Sequence, residues 1–383
     1  MLGGMSTKEF LRTHWQKKPL LVRGAFPGFR DPITPDELAG LSCEDGVESR
    51  IVREKGGKRP WEVTYGPQPE EVFARLPERG WTLLVQEVNR HVPETALLLE
   101  RFAFVPNVRV DDVMVSFAEP GGSVGPHLDS YDVFLIQGQG RRRWMYGTKK
   151  ARDARFRKGL ELRILERFEP DADEVLEPGD MLYLPPGFAH HGVAVTPCLT
   201  YSIGFRAPNA GEMWTSFARA AARDIAAERL LEDPPLEPAK NPGAIPPALL
   251  ARVRDVVRGL DTSDARIDRW FASFATQLSP DHEVPVPKRV PDAKTIVARL
   301  RRGDRVARSE EGRWAFLPRA RGGVLLYFAG IELDVDRSAA DLARALCAAR
   351  RFDGRALAKA ATTRAGRDLL VRLFAAGGLR FVR

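Results

Sequence analysis

Between Asp111 and Asn209 the chain breaks into short runs rich in β-branched and aromatic residues: "VMVSF", "YDVFLIQ", "RRRWMY", "MLYLPP" and "LTYSIGF", with Gly, Pro and Asp between them. Runs this short, bounded by turn formers, leave no room for helices of ordinary length. Several in succession predict an all-β sandwich or barrel. This block constrains the fold more than any other feature of the chain.

The flanks have a different texture. The first hundred residues mix helices with short strands. Ser6 and Glu9 stand in capping-box spacing, and Thr34 precedes Pro35 as N-cap before "PDELAGL". "PEEVFARL" and "ETALLLERF" have helical spacing, and His91 falls in a loop. After Asn209 comes a long helical pattern, "GEMWTSFARAAARDIAAERLL", then the proline-rich break "EDPPLEPAKNPGAIPP" and two more helices. A second linker, "SPDHEVPVPKRVPD", leads to a tail that reads helix, strand, strand, helix, helix, an order compatible with a small winged helix. A length of 383 residues suits two or three domains. The boundaries read as 1–207 for the β-rich catalytic part, 208–285 for a helical segment and 286–383 for the terminal module.

Charge is unevenly distributed. The chain carries +8 overall, but the segment from Lys288 onward has 22 Lys and Arg against 10 Asp and Glu, so the residues before it sum to −4. A basic module on a slightly acidic body favours polyanions such as RNA or a ribosome surface, or is simply an arginine-rich solvated face. No run of 18 apolar residues and no apolar leader core is present, so no membrane span is expected. Cys43, Cys198 and Cys347 show no paired spacing, which fits buried, reduced thiols in the cytoplasm.

The candidate chemistry lies in "GGSVGPHLDSYDVFLIQ". On a strand, residues two apart share a face, so His127 and Asp129 can converge on one point. An imidazole and a carboxylate suit Fe(II), and a second histidine would complete a facial triad with open coordination positions. "LEPGDMLYLPPGFAHHG" supplies two, His190 and His191. Neighbours on a strand point to opposite faces, so only one should bind metal, and His190 is favoured. His14, His91 and His282 read as surface or packing residues.

"GPHLD", "LEPGDMLYLPPGFAHHG" and "YSIGFRAPN" together resemble the JmjC-type, cupin-fold 2-oxoglutarate oxygenases. More narrowly they resemble the bacterial ribosomal oxygenases, which hydroxylate an arginine of a large-subunit ribosomal protein of the L-sixteen type. The resemblance extends over nearly the whole chain, and it implies a double-stranded β-helix followed by a helical dimerisation segment and a winged helix. It places the iron ligands at His127, Asp129 and His190, with 2-oxoglutarate and O2 as co-substrates and succinate, CO2 and β-hydroxyarginine as products. It also places the anchor for the distal carboxylate of 2-oxoglutarate on "RRRWMY". Arg142 lies 15 residues after His127, the family's spacing, and Trp144 shares its parity, leaving Arg141 and Arg143 to face out. Ser202 matches a polar position near 2-oxoglutarate in relatives, or else is a core hydroxyl. The resemblance implies a ribosomal protein substrate and a homodimer, and the basic terminal module adds contact with ribosomal RNA or the ribosome surface as an expectation. Two other function classes fit the residues: a cupin metalloenzyme that does not use 2-oxoglutarate, and a nucleic-acid-binding regulator with a cupin sensor.

Overall fold

The structure is a computed structural model that describes residues 1–55, 61–223, 225, 230–235, 237, 238, 240–278 and 282–382. Eleven strands belong to its first half: β1 (Leu20–Val22), β2 (Ser49–Glu54), β3 (Trp61–Tyr65), β4 (Trp81–Val85), β5 (Val110–Ala118), β6 (Asp132–Gln137), β7 (Arg142–Tyr146), β8 (Ala172–Leu176), β9 (Met181–Leu184), β10 (His190–Ala194) and β11 (Cys198–Phe205). They form an eight-stranded sheet in the order β1-β9-β6-β11-β5-β4-β2-β3 and a three-stranded sheet in the order β10-β7-β8. The double-stranded β-helix is thus two facing sheets, joined at one end by reciprocal backbone hydrogen bonds between His127 and His190. The β-rich block supplies β5 to β11. The large sheet also takes in β1 to β4 from the first hundred residues.

The central strands explain this layering. All six residues of β6, "DVFLIQ", are buried, as expected for a strand covered on both faces. Val133 and Leu135 point toward the small sheet, where they pack with Trp144, Tyr146, Leu176, Leu182 and Leu184. Phe134 and Ile136 point the other way, into a larger core. There the Phe134 ring stands 4.7 Å from Phe102 and 4.7 Å from Tyr183, and Phe10 stands 5.0 Å from Tyr183. Burying such a side chain contributes about 1.5–3 kcal/mol. Phe10 lies on α1 (Thr7–Thr13), capped by the Ser6 hydroxyl. Leu38 lies on α2 (Pro35–Ser42), closed by a full capping box between Thr34 and Glu37. Two short helices, α3 (Val88–His91) and α4 (Pro93–Leu98), lead into β5, so His91 ends a helix rather than sitting in a loop. "PEEVFARL" forms a 3-10 helix over Glu70–Arg75.

Beyond β11 come α5 (Ala210–Ala222), α6 (Pro247–Arg258) and α7 (Asp264–Thr276). The helix expected over 211–231 ends at Ala222, and within that span residues 224 and 226–229 lie outside the described residues. The terminal module has its own core. It contains α8 (Ala293–Arg302), β12 (Arg305–Arg308), β13 (Trp314–Pro318), β14 (Val324–Phe328), β15 (Ile331–Val335), α9 (Ala340–Ala348), β16 (Arg351–Phe352), α10 (Gly354–Ala360), α11 (Arg364–Ala375) and β17 (Leu379–Val382). The strands make two small sheets, β16-β12-β17 and β13-β14-β15. The module is fastened to the β-sheet body by directed bonds. The Asn107 amide donates to the carbonyls of Cys347 (2.8 Å) and Trp314 (3.2 Å), Arg313 pairs with Asp111 (2.7 Å), and the Arg350 backbone N–H donates to Glu100 (2.9 Å).

Candidate active site

His127 sits in the loop between β5 and β6, and His190 opens β10. The bridge between them brings the ring centroids to 4.2 Å. Asp129 completes the group: one carboxylate oxygen lies 3.9 Å from His127 Nε2 and the other 3.4 Å from His190 Nε2. One donor atom from each of the three residues lies within 4.8 Å of the others.

The hydrogen bonds set the tautomers. His127 Nδ1 is 2.9 Å from the Gly125 carbonyl, and His190 Nδ1 is 3.0 Å from the Phe188 carbonyl. A carbonyl only accepts, so each Nδ1 carries the proton and each Nε2 presents its lone pair to the cluster. Burial, with His127 adding to it, pushes the His190 pKa down to about 4, which keeps that ring neutral at physiological pH. Two imidazoles and one carboxylate, converging from one side with ring orientations fixed by backbone carbonyls, are a donor set that fits a divalent first-row metal ion.

The turn before β9 ties the opposite end of the sheets, beside Gln137, to the β1 region. Asp180, only 6% exposed, accepts from the backbone N–H groups of Gly24 (2.8 Å) and Glu177 (3.0 Å) and from Arg23 (2.7 Å). Gly192, opposite Trp144 in the β10–β7 ladder, leaves room for the indole. A Cβ there would stand 2.7 Å from the ring.

His127, Asp129 and His190 border a cavity of about 310 Å³, lined by β7 and β10 on one wall and by β5, β6 and β11 on the other. Arg142 enters it from β7, 4% exposed, while Arg141 and Arg143 face solvent and Arg143 pairs with Asp173 outside. The Arg142 guanidinium donates to the Ser116 hydroxyl (3.2 Å) and its Nε has no partner. Among the described residues no carboxylate pairs with it, and burial pushes its pKa down. A buried cation without a counter-charge costs several kcal/mol and suits an anionic ligand. Ser202, on β11, lines the cavity with Thr200.

Sequence reasoning missed Ser116, Asp112 and Tyr131, which also line the cavity. The signal for Ser116 lay in "VMVSF", where a polar residue shares parity with Met114 inside an apolar run. Asp112 has its pKa pushed up to about 7 by burial and by neighbouring Asp111. His191 points away from the metal-ligand cluster and meets the Ser123 hydroxyl at 2.8 Å.

A model of the JmjC domain matches residues 97–213, and one of the ROXA-like winged helix matches residues 258–380. The ribosomal protein uL16 3-hydroxylase of Escherichia coli (strain K12) is 40% identical over 300 residues, which cover 78% of this chain and 79% of that protein. A probable ribosomal oxygenase of Haemophilus influenzae is 42% identical over 201 residues, 52% of this chain and 49% of its own length. Among solved structures, E. coli ycfD aligns with a TM-score of 0.84 at 36% identity, covering 99% of both chains. A structure of YcfD, a ribosomal oxygenase, in complex with cobalt and 2-oxoglutarate aligns with a TM-score of 0.80 at 35% identity, again over 99% of both chains. By sequence and by three-dimensional structure alike, the chain belongs to the family of JmjC-domain ribosomal oxygenases.

Proposed function

We propose that this chain is an Fe(II)- and 2-oxoglutarate-dependent hydroxylase acting on an arginine of the ribosomal protein uL16, with 3-hydroxyarginine, succinate and CO2 as products. One observation carries the reading: a single cavity holds a convergent His-Asp-His set and, from the adjacent strand, a buried guanidinium with no carboxylate partner. His127, Asp129 and His190 hold the metal. When bound, Fe(II) supplies the activation of O2 that couples decarboxylation of 2-oxoglutarate to oxygen insertion into a substrate C–H bond. Arg142, oriented by Ser116, receives the distal carboxylate as a charge-assisted pair, and the Ser202 hydroxyl lines the facing wall with Ser116. Asp112 and Tyr131 line the cavity beyond the metal-ligand cluster, where a carboxylate complements a cationic substrate side chain. The facing sheets hold these groups in register and limit water access.

The working assembly in this reading has a catalytic part over 1–207, a dimerising helical segment over 208–285 and a basic module over 286–383. Helix α6 supports the dimer. None of its residues is buried, and Leu250, Val253, Val256 and Val257 form an exposed apolar stripe. An apolar groove between α5 and α7, lined by Met213, Trp214, Phe217, Ile267 and Trp270, is open as well, with Trp214 68% exposed. A second copy that sets its α6 into this groove covers both surfaces. The positive excess after Lys288 supports contact with ribosomal RNA. Among the described residues no helix is long and apolar enough to cross a membrane, and the cytoplasm, where ribosomal proteins are made, is the proposed location.

The test is mass spectrometry of a uL16 fragment incubated with the full chain, Fe(II) and 2-oxoglutarate. A mass gain of one oxygen on an arginine, absent without 2-oxoglutarate and absent with His190→Ala, is the expected outcome. Succinate release with no gain on any ribosomal protein would leave the cofactor assignment standing and remove the substrate.

A further inference from the structure

The adjacent histidines pose a question that the metal cluster does not answer. His190 belongs to the cluster and His191 does not, yet His191 is half-buried beside it with a defined partner. Its Nε2 lies 2.8 Å from the Ser123 hydroxyl, and Ser123 is 1% exposed. The same hydroxyl oxygen accepts the backbone N–H of Gly125 at 2.9 Å. The hydroxyl keeps its proton and a second lone pair, so it pairs with the His191 Nε2 in either tautomer of that imidazole. Gly125 is then held from both sides. Its N–H goes to Ser123 and its carbonyl accepts the Nδ1 proton of His127 at 2.9 Å. Its φ is +77°, and a Cβ there would stand 2.6 Å from Ile164, so its position depends on these bonds and on close packing.

We propose that His191 is a positioning residue for the metal ligand His127, acting through Ser123 and the Gly125 peptide. The relay fixes the plane of the Gly125 carbonyl, and that carbonyl fixes the tautomer and ring orientation of His127. The other histidine of the cluster does not need it, because His190 donates its Nδ1 proton to the Phe188 carbonyl. The two histidines of "AHHG" thus serve one site from opposite faces of β10: one as a ligand, the other as a brace for the ligand across the gap. The inference rests on the metal-binding reading of His127, Asp129 and His190. Outer partners of metal-bound histidines typically change metal affinity by roughly 10–100-fold when removed.

Co(II) binding to the full chain, followed by its visible absorption, tests the relay without turnover. His191→Ala and Ser123→Ala are each expected to weaken Co(II) by about tenfold or more and to change the ligand-field bands. The double variant is expected to be no worse than the poorer single one, because both changes break one chain of contacts. His191→Gln, which keeps an acceptor for the Ser123 hydroxyl, is expected to recover most of the affinity and the native spectrum. Unchanged affinity and bands in both single variants would overturn the relay. So would full additivity in the double variant, or a His191→Gln protein that regains thermal stability but not the spectrum. If the unaltered chain binds no Co(II), it is the metal-site reading that fails.

Discussion

At the residue scale the cavity separates two charges by strand parity. Arg142 faces in without a carboxylate, while Arg143, one residue on, faces out to Asp173. Removing the inner one while iron still binds is expected to weaken 2-oxoglutarate by about one to two orders of magnitude, the 1.5–3 kcal/mol of a charge-assisted contact. Titrating 2-oxoglutarate against succinate release for Arg142→Ala and Arg143→Ala gives the comparison. Equal losses in the two variants would defeat the assignment. The pairing of His127 with Asp129 was legible from their spacing of two, although the two residues lie in a loop rather than on a strand, and His190 and Arg142 were legible through the motifs that resemble the family. Ser116 and Ser123 were not. Ser116 reaches Arg142 only through the large sheet packing against the small one, 26 residues away in sequence, and Ser123 meets His191 across 68 residues. No local pattern carries such a contact.

At the scale of elements, the turn Pro178-Gly179-Asp180 ties the N-terminal β1 region to β9. The Asp180 carboxylate accepts two backbone N–H groups and one arginine, so Asp180→Ala removes three charge-assisted hydrogen bonds. The expected cost is about 2–4 kcal/mol of stability. A thermal melt lowered by only a degree or so would show that the turn holds its shape without the carboxylate. The β-rich block and the capped helices α1 and α2 were legible from turn residues, periodicity and caps. The shorter strands β15, β16 and β17 were not. Two to five residues carry little signal, and the partner of β16 and β17 is β12, more than forty residues earlier in the chain. The strands of the first hundred residues looked like a separate mixed region because their place in the sheet is set by long-range ladders.

At the scale of the whole molecule, the exposed stripe on α6 and the open groove between α5 and α7 belong to one chain and fit a reciprocal pairing. Val253→Asp with Val257→Asp is expected to convert a dimer into a monomer in light scattering, while iron and 2-oxoglutarate binding persist, since neither residue approaches the cavity. A monomeric unaltered chain, or a variant that remains dimeric, would remove α6 from the interface. The strand order has a consequence of its own for how the protein is made. Among the described residues β1 pairs only with β9, about 160 residues later, so at roughly 5–20 residues per second the N-terminal strand waits on the order of ten to thirty seconds for its neighbour. β11, the last strand of the large sheet to be synthesised, inserts between β5 and β6 near its middle. Until Phe205 has left the exit tunnel, the nascent chain holds two half-sheets whose unpaired edges face each other, the state in which it is most exposed to aggregation and most in need of a chaperone.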